Sequence, residues 1–285
     1  RGGSDSTPST GQPKLSDATQ AVLSMVPVFA LTDEKGRPVL MRSPSNETNA
    51  KQIPQQLFFT EVEVARAHAA SIMKFGGDDK LQLRLATLNL GQVWQMRAAD
   101  REIRVYADPR EVHFARQLLL RAAGYQNSNE TTDGTGVDFS NETAVAETSA
   151  SIQKAIGVDL ENDVPVFTVG VLNATLGEGG KVVQPWFLSF GDLVRAYVNS
   201  TTPSTDDEAE YQKQAQIALR KMLAVGETAV TTIAKLVEAM SSSEGASDVF
   251  IMPPSSSLTV LAQARQQQQQ TQPSPNSPAA STAPK

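Results

Sequence analysis

The feature that most constrains this chain is that it repeats itself. Val26-Pro27-Val28-Phe29 recurs as Val164-Pro165-Val166-Phe167, and such self-similarity must be read before any single element. In each half the strand-like run leads to a second apolar stretch that ends at a helix start. Leu57-Phe58-Phe59-Thr60-Glu61-Val62-Glu63 stands beside Trp186-Phe187-Leu188-Ser189-Phe190-Gly191-Asp192. In that alignment Thr60 matches Ser189 as N-cap, each with an acid three residues on, and Arg66-Ala67 matches Arg195-Ala196.

Two later segments follow in the same order. Leu85 to Met96 falls opposite Ala229 to Met240 as strand and helix, and Val105-Tyr106-Ala107-Asp108-Pro109 faces Ile251-Met252-Pro253-Pro254-Ser255, each followed by a short helix. The offset is 138 at the first motif, 129 at the cap and 146 at the last strand, so the differences are loop insertions. Arg42 to Ile53 is the clearest. In the second half the extra material lies between Thr201 and Lys221, where Tyr211 to Glu238 is helical by pattern.

The expected fold class is therefore α+β and internally duplicated, with two pseudo-symmetric repeats of strands and helices. The expected organisation is a disordered tail over 1–14, a first repeat over 15–125, a polar linker over 126–147, a second repeat over 148–265, and a Gln/Pro-rich disordered tail over 266–285.

Composition narrows the function. The 285 residues carry 25 Lys and Arg against 31 Asp and Glu, a net charge of −6, so no cationic excess exists to neutralise a phosphate backbone. Nucleic acid is not an expected partner. The longest apolar stretch, Ala21 to Leu31, contains Pro27 and is shorter than the roughly 20 residues of a spanning helix, so the chain is read as not membrane-spanning and at most peripheral. With no cysteine, thiolate zinc sites and disulfide frameworks are excluded.

The sequence carries no catalytic signature. His68 and His113 are the only histidines, and no nucleophile elbow, phosphate loop or dinucleotide fingerprint occurs. Asp78-Asp79 and Asp206-Asp207-Glu208 lack the spacing of a calcium loop and sit among turn formers. The reading is not an enzyme, with no cofactor and no metal.

The Pro-Val-Phe strand, the Leu-Phe-Phe run before Thr60, the Leu88 to Met96 segment and the Phe-Ile-Met-Pro-Pro end resemble a known family. It is the twenty-two-kilodalton subunit family of the chloroplast inner-envelope protein translocon, with its cyanobacterial periplasmic relatives. The resemblance covers about Val22 to Gln263 and rests on order and spacing rather than on a signature residue. It implies a duplicated fold with hydrophobic surface grooves, no established catalytic residues, and a place in the chloroplast intermembrane space after removal of a targeting segment. The partners it implies are precursor proteins and translocon subunits. The function expected on this basis is chaperone-like binding of precursors between the outer and inner envelope translocons. The alternative is a structural scaffold docked on a plastid membrane complex.

For a binding groove, the residues proposed lie on amphipathic stretches outside the duplicated strands. Ile152, Ile156, Ile217, Met222 and Val225 fall at near-helical spacing, and Trp94 with Met96 places a large aromatic near a helix end. Five of ten asparagines stand in Asn-x-Ser/Thr, at Asn46, Asn129, Asn141, Asn173 and Asn199, the pattern of a chain passing through a glycosylating compartment.

Overall fold

The computed structural model describes residues 15–42, 54–75, 82–97, 103–128, 136–176, 180–202, 207–224, 227–242 and 248–271. The Arg42 to Ile53 insert, apart from Arg42 itself, and both expected tails, apart from the last turns of a helix, lie outside them. So do Val225, Asp78, Asp79, Asp206, Asn46 and Asn129.

The first half runs α1 (Asp17–Ser24), β1 (Pro27–Thr32), β2 (Leu40–Arg42), β3 (Pro54–Phe59), α2 (Val62–Phe75), β4 (Arg84–Asn89), α3 (Leu90–Arg97), β5 (Ile103–Tyr106) and α4 (Pro109–Ala122). The second runs α5 (Glu142–Ile156), β6 (Pro165–Val169), β7 (Ala174–Leu176), β8 (Lys181–Phe187), α6 (Phe190–Thr201), α7 (Glu208–Met222), β9 (Thr228–Thr232), α8 (Ile233–Ser242), β10 (Val249–Met252) and α9 (Ser255–Thr271). Each half builds a five-stranded sheet by one plan. The first strand sits between the third and fourth as an antiparallel centre, the second strand pairs with the third, and the fifth adds to the third in parallel. The fold is α+β and duplicated.

Hydrogen-bond register fixes the equivalences. Phe29 pairs with Phe59 as Phe167 pairs with Phe187, and Phe59 pairs with Tyr106 as Phe187 pairs with Met252. The amides of Thr60 and Leu188 donate to the carbonyls of Tyr106 and Met252. At the helix start the offset is therefore 128, not 129, which makes Thr60 the counterpart of Leu188 and Glu61 the counterpart of Ser189. Ser189 caps α6 by accepting from the Asp192 amide at 3.4 Å. Thr60 does not cap α2: its hydroxyl donates to the Tyr106 carbonyl at 3.3 Å. The arginine match misled the alignment, because Arg66 and Arg195 each pair with an acid three residues earlier, Glu63 and Asp192, from positions one step apart around the helix.

Two boundaries also move. Helix α5 starts at Glu142, where the Asn141 side chain accepts from the Ala144 amide at 3.1 Å, so its first turns come from the stretch read as linker. Helix α9 runs to Thr271 through the glutamine run, since Gln is a good helix former even without an apolar stripe. The helices after β5 and β10 are 14 and 17 residues, not short.

Strand alternation divides the core. In β1, Val28 and Ala30 point to one side and Phe29 and Leu31 to the other, and all six positions are buried because both faces are covered. One face of each sheet joins a common cluster: Val28, Ala30 and Phe58 meet Val166, Leu188 and Ile251, with α1, α3 and α8 adding Leu23, Val93 and Val237. On the opposite faces the repeats exchange their last helices. From α4, Ala115, Leu118 and Leu119 pack with Phe167, Val169 and Phe187 of the second sheet. From α9, Val260 and Leu261 pack with Phe29, Leu31 and Phe59 of the first.

A shared core predicts shared unfolding. Trp94 and Trp186, one from each half, both pack against the common cluster, so urea transitions followed in Trp94→Phe and Trp186→Phe variants are expected to coincide. Phe58→Ala, which empties a fully buried position, is expected to lower both midpoints together by about 3–5 kcal/mol in stability. Two separated transitions would contradict a shared core.

Candidate functional site

An apolar cleft and a polar cavity lie where the repeats meet. Helices α3 and α8, which wall the cleft, follow equivalent strands, and their starts are tied to equivalent positions: the amides of Leu90 and Ile233 donate to the carbonyls of Val26 and Val164 at 2.8 and 2.9 Å. Asp163 reinforces α8, with one carboxylate oxygen accepting from the Val164 amide at 2.8 Å and the other from the Ala234 amide at 2.9 Å. Burial pushes this carboxyl upward against the lowering effect of the Thr232 hydroxyl and those two amides.

Between the two helices and Leu15, which precedes α1, the cleft encloses about 500 Å³ and is lined by Trp94, Ala234, Val237, Glu238, Ser241 and Ser242. Trp94 is half-buried, with one side against the common core and the Arg97 guanidinium 5.5 Å from its ring centre. An indole in a partly open apolar cleft offers a large rigid surface to an apolar side chain from another molecule. Met96 is half-buried against the same core.

The remaining residues expected in a groove do not gather there. Met222 is 1% exposed and packs with Tyr197 and Leu193 under α6 and α7. Ile152 is half-buried, touching both the second sheet's outer core and the small cluster of Leu120, Phe139 and Val145. Ile156 and Ile217 are exposed on α5 and α7 respectively, and Val225 lies outside the described residues. Helical spacing marks an amphipathic face but not the neighbour that covers it.

The polar cavity is a feature that sequence reasoning missed. Where β3 enters α2, β8 enters α6, and α4 and α9 begin, a space of about 270 Å³ is lined by Glu61, Arg110, Glu111, Phe114, Ser189, Gly191, Asp192, Arg195, Ser255 and Ser256. Glu111, in the first turn of the exchanged helix α4, reaches the other repeat: its Oε2 accepts from the Phe190 amide at 2.7 Å. The reciprocal contact is Ser257 Oγ of α9 donating to the Thr60 carbonyl at 3.0 Å. Asp192 receives the Ser255 amide at 2.7 Å and the Ser255 hydroxyl at 2.8 Å, tying α6 to the start of α9.

Charge accumulates at this crossing. Glu61 and Glu111 are each 7% exposed. Burial pushes the Glu111 carboxyl up to about 7, opposed by the Phe190 amide and the Ser189 hydroxyl and assisted by the charges of Glu61 and Asp108. Burial and the charge of Asp108 also raise Glu61. Asp108 goes the other way: burial works to raise it, but hydrogen bonds from the Arg110 side chain and amide hold it below the usual carboxylate range. In sequence, an acid in the first turn of a helix reads only as a partner of the helix dipole. Nothing in it announces that Glu111 caps another helix.

The histidines stay apart. The His68 ring packs tilted against Phe59 with ring centres 4.9 Å apart, and His113 Nε2 lies 3.1 Å from the Phe139 carbonyl. Among the described residues no three His, Asp or Glu side chains converge on a metal position. Asp207, one of the acids singled out by sequence, caps α7 by accepting from the Ala209 amide at 2.9 Å.

No family model and no curated protein matches the chain. Solved structures do. Tic22 from Plasmodium falciparum is similar over 87% of this chain and 98% of its own, with TM-score 0.51 and 13% identity. Anabaena Tic22, a protein described as acting in protein transport, is similar over 92% of this chain and 100% of its own, with TM-score 0.52 and 17% identity. The chain has the fold of these two Tic22 structures. Among the described residues no helix is long and apolar enough to cross a membrane.

The Glu111 environment gives a pH dependence with a definite sign. A carboxyl raised in the fold favours its neutral form, so its contribution is fully present below the ordinary carboxyl range and is lost as pH rises through about 7. Stability from this group is expected to fall by roughly 3 kcal/mol between about pH 4.5 and 7.5. Glu111→Gln, neutral throughout, is expected to flatten that part of the stability–pH curve measured by urea titration. An unchanged slope would remove Glu111 as its source.

Proposed function

We propose that the chain is a non-enzymatic factor of plastid protein import that holds precursor segments by hydrophobic contact between the outer and inner envelope translocons. The Tic22 fold and the protein-transport role of the Anabaena structure support the general reading. The observation that carries the finer one is the cleft of about 500 Å³ at the junction of α3 and α8, with Trp94 on its wall. Its lining supplies apolar surface with polar groups from Glu238, Ser241 and Ser242 at the rim. Trp94 is assigned as the anchor, with Met96 supporting it from the core side. Exposed Ile156 and Ile217 are assigned as secondary contacts for a long extended segment.

The test is crosslinking in intact plastids from a photoreactive side chain placed at Glu238, on the rim of the cleft. Varied precursors in transit are expected among the captured proteins, and Trp94→Ala is expected to reduce that capture about tenfold, the loss of one buried aromatic anchor. Capture of a single membrane complex at fixed stoichiometry, without precursors, would establish the scaffold reading instead.

A further inference from the structure

We propose that the polar cavity at the crossing of the two repeats is a binding site for a guanidinium group, supplied by an arginine side chain of a polypeptide partner. Two buried carboxylates from the same half of the chain face it, Glu61 at the start of α2 and Glu111 at the start of α4. They differ in one decisive respect. Glu111 is engaged by the Phe190 amide at 2.7 Å. Glu61, equally buried at 7% exposure, lines the cavity with no hydrogen bond or ion pair to its carboxylate among the described residues. Its oxygens are not sealed inside the protein, and a side chain so largely withdrawn from water, with a carboxylate that lacks a hydrogen bond, is one that a ligand can complete.

The charge around the cavity is unbalanced toward the negative. Glu61, Glu111, Asp108 and Asp192 face or adjoin it against Arg110 and Arg195. Both arginines are already committed, Arg110 to Asp108 at 3.0 Å and Arg195 to Asp192 at 3.0 Å. Neither Glu61 nor Glu111 has an arginine in hydrogen-bond contact, Arg110 acting on both only through its charge, and the exposed Glu63–Arg66 pair lies outside them. The charge excess specifies a cation.

The donor set specifies which cation. No convergent trio of metal-ligating side chains exists among the described residues. The acceptors instead come from separate elements, the Glu61 and Glu111 carboxylates with the Ser189 and Ser255 hydroxyls, spread around a cavity of about 270 Å³. A planar group with five donors in fixed directions matches dispersed acceptors better than a point charge does. That volume admits one long side chain rather than a folded element.

Duplication supports a ligand role over a purely structural one. The counterparts of Glu61 and Glu111 are Ser189 and Ser257, by the registers that equate Phe59 with Phe187 and Tyr106 with Met252. Ser257 makes the equivalent crossing contact without a charge, through its hydroxyl to Thr60. Each end of the crossing thus holds one acid and one serine: Glu111 closes its end through the Phe190 amide, whereas at the other end Ser257 closes onto Thr60 and the neighbouring Glu61 carboxylate takes no part in closure. This inference rests on the transport reading only in that the partner is a polypeptide.

The test titrates N-acetyl-arginine amide into the full chain at pH 8 and low salt, followed by heteronuclear NMR, with N-acetyl-norleucine amide as control. Saturable shifts are expected at Phe190, Gly191 and Ser255 with the arginine compound and none with the norleucine compound. Glu61→Gln is expected to weaken the response about tenfold while leaving the melting temperature unchanged or raised. If that variant fails to fold, 0.5 M salt added to the unaltered chain is expected to weaken binding instead. Equal responses to the two compounds, or no response to either, would overturn the inference. Either failure leaves precursor capture at the Trp94 cleft unaffected, whereas loss of capture with arginine binding intact would overturn the transport reading alone.

Discussion

The structure depends on the exchange of terminal helices between the repeats. A five-stranded sheet whose first strand is buried on both faces needs apolar cover on each, and neither half supplies all of it from its own elements. One face is satisfied by the common cluster, in which Phe58 and Val28 meet Val166 and Ile251. The other is covered in part by a helix from the opposite repeat, α4 on the second sheet and α9 on the first. Each repeat presents a hydrophobic face that its own chain segment does not close, so duplication here is a condition of folding rather than an embellishment.

The two halves have diverged unequally around that plan. Helix α7 has no counterpart among the described elements of the first half, and with it the second sheet's outer face gains Ala218, Met222 and Leu219. The first sheet receives α2 and α9 alone. Between α9 and the edge strand β4 a groove of about 430 Å³ remains, with Met25, Thr87, Leu261 and Arg265 on its walls. Leu85 of β4 stays 37% exposed beside it. The extra helix accounts for the difference in packing between two sheets of the same topology.

What was legible in the sequence follows from the same physics. The duplicated strands could be read because burial on both faces forces continuous apolar runs, as in Val26 to Leu31 and Val164 to Val169, and such runs leave a strong trace. The order of elements, including strand then helix at Leu85 to Met96 and Ala229 to Met240, could be read for the same reason. The helix-start register could not, because a salt-bridged arginine tolerates a one-residue shift on a solvated face whereas a hydrogen-bonded strand does not. Groove residues were only partly legible. Trp94, singled out as a large aromatic near a helix end, lines an open cleft, whereas Met222, singled out by helical spacing, is in the core, because spacing marks an amphipathic face and not what covers it.

The sites that remain open lie at the seam because the seam is where packing rules leave room. Within a sheet, ladder hydrogen bonds and side-chain alternation determine nearly every buried position. Where two repeats meet through helix ends, the unsatisfied amides of a first turn must find acceptors from elsewhere, and here they find Asp163, Asp192 and Glu111. Those acceptors bring charge into a buried region, and the geometry that seats them leaves a cavity on the Glu61 side and an apolar cleft on the Trp94 side. A duplicated chain thus acquires openings that neither copy could form alone: the walls of each come from different repeats, so the folded pairing of the repeats is itself the condition for either one.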